Sequence, residues 1–337
     1  MPAAILFINF QAFFAGGNLI TPSDKANRYF ITGGAGFIGS HLTDLLVNEG
    51  EVTVYDNLSS GSLEFISHNL GQHNFKFIQA DLHDFSTLKQ AIAGHDMVFH
   101  LAANPEVRAG IKATDLDLKT GIIASYNVLE AMRLNRIKDV VFTSSSTVYG
   151  DAGITPFTEE YGPLLPISLY GASKLGSEGL ISAFCHLFNM QGWIFRLANV
   201  IGPRLTHSVI FDFINKLKQN PRQLEILGDG SQQKPYLHVD DCISGMLFGV
   251  VHSKQAINVF NLSPSTSTSV VTIATVVVRA MGLENVEFQY TGGSRGWLGD
   301  VPQVRFDITK ISRLGWEPKY TSDEAVQQAV RQMSGNF

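Results

Sequence analysis

The chain has 337 residues, of which 45% are hydrophobic and 16% are charged, and this balance predicts a globular protein with a sizeable core. Its net charge of −5 argues against a nucleic-acid-binding protein, which normally carries a basic face. No HExxH or CxxC spacing occurs, so no metal site is expected, and the two cysteines, Cys185 and Cys242, predict a reduced, cytoplasmic protein without disulfides.

Residues 1–27 are predicted to form an N-terminal extension outside the fold. Their apolar stretch "AILFINFQAFFAGG" is shorter than the about 20 residues that a helix needs to span a bilayer. It also lacks the basic segment that begins a secretory signal. No other stretch is long and apolar enough, so we expect no stable membrane association.

From Arg28 to Asn199, short apolar runs alternate with helical patterns. Helices are expected over 37–48, near Leu88, over 116–133 and over 170–188. The strand-like runs between them are "RYFIT", "VTVYD", "FKFIQ", "MVFHLAA", "DVVFTSS" and "WIFRLA". Strands that are apolar on both faces and alternate with helices predict an α/β fold with a doubly wound parallel sheet.

Beyond Asn199 the pattern becomes less regular and predicts a smaller C-terminal α/β lobe. Its last predicted helix, "VVTIATVVVRAMG", follows a hydroxyl-rich loop that supplies an N-cap. We expect residues 28–200, with 233–262 returning to them, to form the sheet domain. Residues 201–232 and 263–333 are expected to form the substrate lobe over the strand ends, where open α/β sheets bind ligands.

The segment "ITGGAGFIGSHL" places Gly33, Gly36 and Gly39 in GxxGxxG spacing between a strand and a helix, which is typical of a Rossmann dinucleotide site. Asp56 ends the next strand, 17 residues after Gly39, where a carboxylate accepts hydrogen bonds from ribose hydroxyls. The following residues, 57–61, include no Arg or Lys for a 2′-phosphate. The sequence therefore favours NAD over NADP.

Tyr170 and Lys174 lie four residues apart at the start of a predicted helix and share one face of it. Their side chains ordinarily titrate near ~10 and ~10.4. A fixed ammonium, helped by an oxidised nicotinamide ring, is expected to lower the pKa of Tyr170 until the phenol acts as a base. A YxxxK match alone is usually structural. The glycine loop and the hydroxyls of "FTSSSTVYG" favour a catalytic role here.

Together these features resemble the extended short-chain dehydrogenase/reductase family, in its nucleotide-sugar epimerase branch, and most closely the UDP-glucose 4-epimerases of archaeal and bacterial type. The resemblance extends from Arg28 to Met333. The motifs that carry it, in chain order, are "TGGAGFIGSHL", "VYDNLSSG", "ADLHD", "HLAANPEVR", "SSSTVYG", "YGASK", "RLANVIGPR", "LGDGSQQKPYLHVDD" and "RGWLGDVP".

The resemblance implies roles for individual residues. Tyr170 is the implied base, Lys174 its partner, which also holds the nicotinamide ribose, and Ser145 the catalytic hydroxyl. The implied NAD-binding residues are Gly33, Gly36, Phe37, Ile38, Gly39, Asp56, Asn57, Asp81, Leu82, Leu101, Ala102, Ala103, Tyr170 and Lys174. The implied substrate-binding residues are Asn199, His207, Val209, Lys234, Arg295 and Asp300.

Three positions depart from the family pattern. Gly121 stands where relatives usually have an asparagine, and Lys234 replaces an arginine that would grip phosphate with two hydrogen bonds. Arg295 precedes Asp300 by five residues instead of three. The departures concern substrate affinity and identity, and none affects Ser145, Tyr170 or Lys174.

The implied reaction is NAD-dependent epimerisation at C4 of a UDP-hexose through a transient 4-keto sugar. Val304, a residue of modest size, leaves UDP-N-acetylhexosamines open as substrates. A 4,6-dehydratase would need an Asp-Glu pair where this chain has Ser146 and Thr147, and a UDP-glucuronate decarboxylase usually has a glutamate at Thr147. A non-catalytic NAD-sensing module typically lacks the tyrosine or the lysine.

The segments 116–133 and 168–188 carry more apolar residues than one buried helix face needs. Relatives pair these two helices across a four-helix interface, so the resemblance implies a homodimer.

Overall fold

The computed structural model describes residues 27–151, 153, 156–297, 299, 301 and 303–334. The strands are β1 (Asn27–Thr32), β2 (Gly50–Asp56), β3 (Phe75–Gln79), β4 (Met97–His100), β5 (Asp139–Ser145), β6 (Gln191–Leu197), β7 (Asn199–Ile201), β8 (Gln223–Ile226), β9 (Gln233–Lys234), β10 (Tyr236–His238), β11 (Ile257–Leu262), β12 (Thr268–Ser269) and β13 (Glu287–Tyr290). The α-helices are α1 (Phe37–Leu46), α2 (Phe85–Ala91), α3 (Ala109–Lys112), α4 (Ala124–Leu134), α5 (Leu169–Phe188), α6 (Val209–Gln219), α7 (Val239–His252), α8 (Val270–Ala280), α9 (Thr309–Ser312) and α10 (Ser322–Ser334).

Seven parallel strands form the central sheet, in the order β3-β2-β1-β4-β5-β6-β11. This confirms the predicted doubly wound parallel sheet. Asn27 of β1 pairs with Gly50 of β2, so β1 begins one residue inside the predicted N-terminal extension. Residues 1–26 lie outside the described residues. Among the described helices, none combines the length and the hydropathy needed to cross a bilayer.

Buried apolar residues pack on both faces of the sheet. On one face α1 and α7 cover the strands through residues such as Leu42 and Met246. On the other face α2, α4 and α5 contribute Leu88, Val128 and Ile181. A third cluster joins α6, α8 and α10 beyond the strand ends. The exact domain boundaries stay a prediction.

Hydroxyl caps fix where two of the predicted helices begin. The Ser168 hydroxyl accepts a hydrogen bond from the Gly171 amide at 3.0 Å and caps the start of α5. Tyr170 is therefore the second residue of this helix. The Ser269 hydroxyl caps α8 in the same way, through the Thr272 amide at 3.0 Å. The predicted N-cap of the last sequence-derived helix is therefore confirmed.

The helix predicted over 116–133 is present, but its first part, Leu118–Ile123, is a π-helix. Single π-turns interrupt α-helices and have no simple sequence period, so the pattern did not reveal this one. The segment packs closely on α5, because a Cβ placed on Gly121 would lie 2.7 Å from Ser173 Cβ. An asparagine at this position would require α5 or the π-helix to shift.

Candidate active site

A cavity of about 1120 Å³ lies at the carboxyl ends of the central strands, between the sheet and the C-terminal lobe. β1 and β4 are neighbours in the sheet, but the next strand after β1 lies on one side of this pair and the next strand after β4 lies on the other. Doubly wound sheets bind their ligands at the point where the strand order reverses in this way. The cavity exceeds the usual volume for one small ligand, which is about 300–1,000 Å³. It therefore has room for more than one ligand group.

Backbone atoms of the glycine loop form one end of the cavity. Gly33 has φ +70°, and a Cβ there would lie 2.7 Å from the Ala102 amide nitrogen. A Cβ on Gly39 would overlap the Gly33 carbonyl oxygen. α1 begins directly after Gly36 with no side chain capping its amides, so they stay available to an anion. This end fits the diphosphate of a dinucleotide.

Asp56 is held at the end of β2 by two backbone amides. Its carboxylate accepts from the Leu58 amide at 2.8 Å and from the Ala35 amide at 3.0 Å, one on each oxygen. Burial raises the pKa of Asp56, while these two hydrogen bonds oppose the rise. Each oxygen keeps a lone pair for a further donor. The carboxylate therefore fits a ribose diol, as the sequence predicts for NAD.

Ser145, Tyr170 and Lys174 meet in the same cavity, from the end of β5 and the start of α5. The Lys174 ammonium is buried, donates to the Thr143 carbonyl at 2.7 Å and lies 5.6 Å from the centroid of the Tyr170 ring. The Ser145 hydroxyl accepts from the Thr147 amide at 3.2 Å. Its own proton is therefore free to be donated toward Tyr170 or a substrate oxygen.

Burial raises the pKa of Tyr170 to about 12, with a further rise from the Asp117 carboxylate, and the hydrogen bond from Ser145 opposes both. Burial also lowers the pKa of Lys174 to about 8, against the opposing charges of Glu178 and Asp117. In the polypeptide alone the pKa of Tyr170 therefore lies above its ordinary value, because desolvation of the phenolate is the largest effect. The lowering expected from Lys174 together with an oxidised nicotinamide ring stays a prediction.

A buried ionic network fixes α5 against β5 and β6. Glu178 forms an ion pair with Arg196 at 2.8 Å and accepts from the Ser144 hydroxyl at 2.5 Å. Arg196 also donates to the Tyr149 hydroxyl at 3.1 Å, which in turn donates to the Asn261 side chain at 2.7 Å. The charge of Glu178 is thus balanced locally. Sequence reasoning missed this network, because its members lie far apart in the chain.

A chain of hydrogen bonds centred on His100 joins β1 to α5. His100 lies 2.7 Å from the Thr32 hydroxyl and 2.9 Å from the Ser125 hydroxyl. Ser125 donates to Ser177 at 2.9 Å, and Ser177 donates to the Ser173 carbonyl at 2.9 Å. Ser125 must therefore accept from Nε2–H of His100, which leaves Nδ1 to accept from Thr32. Burial lowers the pKa of His100 to about 3, so the ring stays neutral.

The predicted cofactor residues all line the cavity, from Gly33 to Lys174. Four of the predicted substrate residues line it as well: Asn199, His207, Val209 and Lys234. Arg295 instead forms an ion pair with Asp151 at 2.5 Å and lines a separate cavity of about 300 Å³. Asp300 lies outside the described residues.

Several polar residues that line the cavity were not predicted: Glu106, Arg108, Asp212, Gln232 and Trp297. Most come from loops and from the first turn of α6, where no short motif distinguishes a lining residue from a surface one. The "GDGSQ" turn was the nearest sequence signal to Gln232. It predicted the turn but not the direction of this side chain.

Comparisons with known proteins agree with this geometry. Residues 29–263 match the family model described as the NAD dependent epimerase/dehydratase family. A UDP-glucose 4-epimerase of Mycolicibacterium smegmatis is 31% identical over 315 residues, which cover 90% of this chain and 97% of that protein. The crystal structure of a UDP-galactose 4-epimerase is 39% identical, covers 92% of this chain and 99% of its own, and superposes with a TM-score of 0.81.

A relative with a different reaction is nearly as similar. A UDP-glucuronic acid decarboxylase of Xenopus tropicalis is 30% identical over 316 residues, which cover 90% of this chain and 71% of that protein. Overall identity therefore does not separate these reactions, and the residues around the reacting sugar must do so.

Proposed function

The chain belongs to the NAD-dependent epimerase/dehydratase family, and from this premise we propose that it interconverts UDP-galactose and UDP-glucose by epimerisation at C4. The observation that carries the proposal is that Ser145, Tyr170 and Lys174 share one cavity with a dinucleotide-binding glycine loop. The 39% identity to a UDP-galactose 4-epimerase supports this choice of substrate.

When bound, NAD, the cofactor of the family, would supply a hydride acceptor for C4 of the sugar and later the hydride donor. The glycine loop would hold its diphosphate and Asp56 its adenine ribose. Asp81 and Leu82 would flank the adenine, and Lys174 would hold the nicotinamide ribose through the N–H groups that the Thr143 carbonyl leaves unused.

In the proposed reaction the phenolate oxygen of Tyr170 takes the proton of the 4-hydroxyl, becomes the phenol and later returns the proton. Ser145 donates a hydrogen bond to the reacting oxygen and holds it close to Tyr170. Because burial raises the pKa of Tyr170, the base needs more positive charge near its ring than Lys174 provides. A cationic nicotinamide ring would provide it, so proton removal is coupled to the oxidised cofactor.

Inversion at C4 requires a substrate that is fixed at one end and free at the other. Asn199, His207, Val209 and Lys234, on the lobe side, would hold the uridine diphosphate. Lys234 would contact phosphate as a point charge. Arg295 would join them if it gave up its ion pair with Asp151 and bound phosphate instead. The proposed substrate-binding role of Asp300 rests on the family resemblance alone. The 4-keto sugar would be free to rotate, so that hydride could return to the opposite face of C4.

The side chains beside Ser145 disfavour the alternative reactions. Expelling the 6-hydroxyl requires an added acid and base, yet Ser146 and Thr147 line the cavity and neither titrates near neutral pH. A second candidate substrate is a UDP-N-acetylhexosamine, because Val304, of modest size, also lines the cavity. A non-catalytic NAD-sensing role is disfavoured by the presence of both Tyr170 and Lys174.

We further propose a homodimer. The π-helix, α4 and α5 expose large apolar side chains on one side of the molecule, and monomers rarely leave such surface uncovered. The exposed apolar residues on these helices are Leu118, Ile123, Tyr126, Leu134, Leu169, Leu187 and Phe188.

A product assay over a panel of nucleotide sugars tests the proposal. Purified protein is incubated separately with UDP-galactose, UDP-N-acetylglucosamine and UDP-glucuronate, and products are separated by chromatography. We expect UDP-glucose from UDP-galactose. Release of carbon dioxide from UDP-glucuronate without conversion of UDP-galactose would assign the chain to decarboxylation instead.

A further inference from the structure

An ion pair on the loop after β4 forms part of the cavity wall and has no role in the proposed reaction so far. Arg108 holds Glu106 through two side-chain nitrogens: Nε lies 2.9 Å from Oε1, and Nη2 lies 3.2 Å from Oε2. The Arg108 backbone amide also donates to Oε1 at 3.1 Å. Both side chains line the cavity, and they are 43% and 53% exposed for Glu106 and Arg108, so a ligand can reach them.

Asn104 fixes the part of the loop that carries this ion pair. Its side-chain nitrogen donates to the Glu106 carbonyl at 2.9 Å, and its side-chain oxygen accepts from the Glu106 amide at 3.0 Å. The same nitrogen donates to the Asp117 carboxylate at 3.0 Å, and Asp117 is only 1% exposed. The ion pair is therefore tied to a buried residue by its own backbone.

The loop runs on to the start of the helix that carries the proposed base. A Cβ placed on Gly110, two residues after Arg108, would lie 3.3 Å from Cβ of Leu169, the first residue of α5. Tyr170 is the next residue. The proposed reaction places C4 of the sugar at Tyr170, and C5 is bonded to C4. The substituent on C5 is therefore expected at this end of the cavity. In a hexose it is a hydroxymethyl group, and in a hexuronate it is a carboxylate.

The ion pair presents an acceptor and a donor side by side. Oε2 of Glu106 keeps a lone pair for a further donor, and the two N–H groups of Nη1 in Arg108 are not part of the pair. A hydroxyl both donates and accepts, so it fits this arrangement. A carboxylate only accepts, and at the Arg108 N–H groups it would also meet the negative charge of Glu106.

The charges of this wall cancel among the described residues of the loop and the facing turn of α6. Hydrogen bonds from Arg108 hold the pKa of Glu106 below its ordinary value, so the carboxylate is charged and balances the guanidinium. Across the cavity, Asp212 is paired with Lys216 at 2.9 Å. Burial lowers the pKa of His207, so this ring is neutral at neutral pH. A carboxylate that left water for this wall would lose hydration without gaining a cation of its own.

We propose that the Glu106–Arg108 ion pair determines substrate specificity by favouring a neutral hexose over a hexuronate. It would exchange hydrogen bonds with the hydroxymethyl group on C5, and it leaves a C5 carboxylate without a cation. The inference rests on the proposed function, because the position of the sugar follows from the role given to Tyr170. The two cavity lysines, Lys174 and Lys234, already have proposed roles toward the nicotinamide ribose and the diphosphate.

The test measures the dissociation constants of UDP-glucose and UDP-glucuronate by isothermal titration calorimetry in protein loaded with NAD. The reference protein carries Tyr170→Phe alone, and every variant carries it too, so that neither ligand turns over. Both ligands contain the same uridine diphosphate, so the ratio of the two constants reports on the C5 substituent. We expect the reference protein to bind UDP-glucose about tenfold more tightly than UDP-glucuronate.

Two neutral substitutions are expected to change this ratio in opposite directions. Glu106→Gln leaves the Arg108 guanidinium available to a carboxylate, so the preference for UDP-glucose should fall about tenfold. Arg108→Met leaves the Glu106 charge uncompensated, so the preference should rise about tenfold. A folding defect would weaken both ligands together and would not produce opposite shifts.

Asp115→Asn is the matched control, because it removes a carboxylate from an exposed ion pair with Lys119 farther along the same segment. It should keep the reference ratio. Shifts of equal size in Asp115→Asn would reveal a general charge effect and would overturn the inference.

Three further results would also overturn the inference. They are a ratio that neither variant changes, a reference protein that binds UDP-glucuronate at least as tightly as UDP-glucose, and an equal loss of both ligands in Arg108→Met. The last result would assign Arg108 to the diphosphate.

Conversion of UDP-galactose by the unmodified protein judges the proposed function separately. If UDP-galactose is not converted but the two variants shift the ratio as expected, the proposed function fails and the inference stands. If UDP-galactose is converted but the ratio does not respond, the proposed function stands and the inference fails.

Discussion

Burial acts in opposite directions on the two titratable side chains that the proposed reaction needs. It makes the phenolate of Tyr170 harder to form and the ammonium of Lys174 harder to keep. With a pKa of about 8, Lys174 remains an ammonium at neutral pH, whereas a pKa of about 12 keeps the Tyr170 phenol protonated. In the proposed reaction the phenol would therefore need further positive charge nearby before it acts as a base.

Replacing Tyr170 with phenylalanine removes the proposed base and keeps the ring against Lys174. We expect turnover to fall by about 10²–10⁴-fold, the usual contribution of a positioned acid or base. NAD content after purification should be unchanged, since the glycine loop and Asp56 are intact. Steady-state kinetics and the extracted NAD are the measurements.

The matched control is Tyr126→Phe, on the exposed face of α4. It removes a tyrosine hydroxyl outside the cavity and should retain parent turnover. Near-normal activity of Tyr170→Phe would show that another group accepts the proton.

The predicted cofactor residues reach one cavity because they follow the strands in contiguous motifs. Gly33, Gly39 and Asp56 each line that cavity, and their roles toward NAD stay predictions. The rise in the pKa of Tyr170 on burial was not predicted, since a sequence does not give the depth of burial. The burial of Asp117 was not predicted for the same reason, because nothing in the sequence reveals which aspartate is buried.

Helix α5 carries the proposed base and is held by two separate polar systems. The Glu178–Arg196 pair fixes its middle to β6, and the His100 chain connects its second turn with β1. The glycine loop begins directly after β1. A continuous set of buried hydrogen bonds therefore joins the strand before the glycine loop to the helix that carries the proposed base.

Replacing Ser125 with alanine would interrupt the His100 chain. Nε2–H of His100 would lose its acceptor inside the core, and a buried unsatisfied donor costs about 1–3 kcal/mol. We expect the free energy of unfolding to fall by about that amount. Denaturant titration measures it, with Ser182→Ala, on α5 but outside the chain, as the control. Equal stability of both variants would argue against the chain.

The parallel sheet was predictable because strands buried on both faces leave runs that alternate with helices. The predicted element type was wrong at Leu118–Ile123, a π-helix that packs closely against Ser173. The helix Ser322–Ser334 was missed, and among the short strand pairs of the lobe only β8 matches a predicted strand, "LEIL". The missed strands have two to four residues, which gives a pattern little length in which to develop.

At the scale of the whole molecule, the exposed apolar face of α4 and α5 predicts self-association. Leu187 is 73% exposed at the end of α5. Replacing it with glutamate would place a charge in the proposed interface, so we expect the dimer to dissociate to monomers. Sedimentation velocity measures the mass.

Leu314→Glu is the control, because Leu314 is also exposed but lies outside these helices. It should leave the dimer intact. A parent protein that sediments as a monomer, or a Leu187→Glu variant that remains dimeric, would contradict the proposed interface.

The most direct measurement of the proposed chemistry is the conversion of UDP-galactose by purified protein in deuterium oxide, followed by proton NMR. If the hydrogen removed from C4 returns to the same carbon within the closed cavity, only the hydroxyl proton passes through Tyr170 and exchanges with solvent. We predict UDP-glucose that retains protium at C4. Absence of UDP-glucose, or deuterium incorporated at C4, would contradict the account.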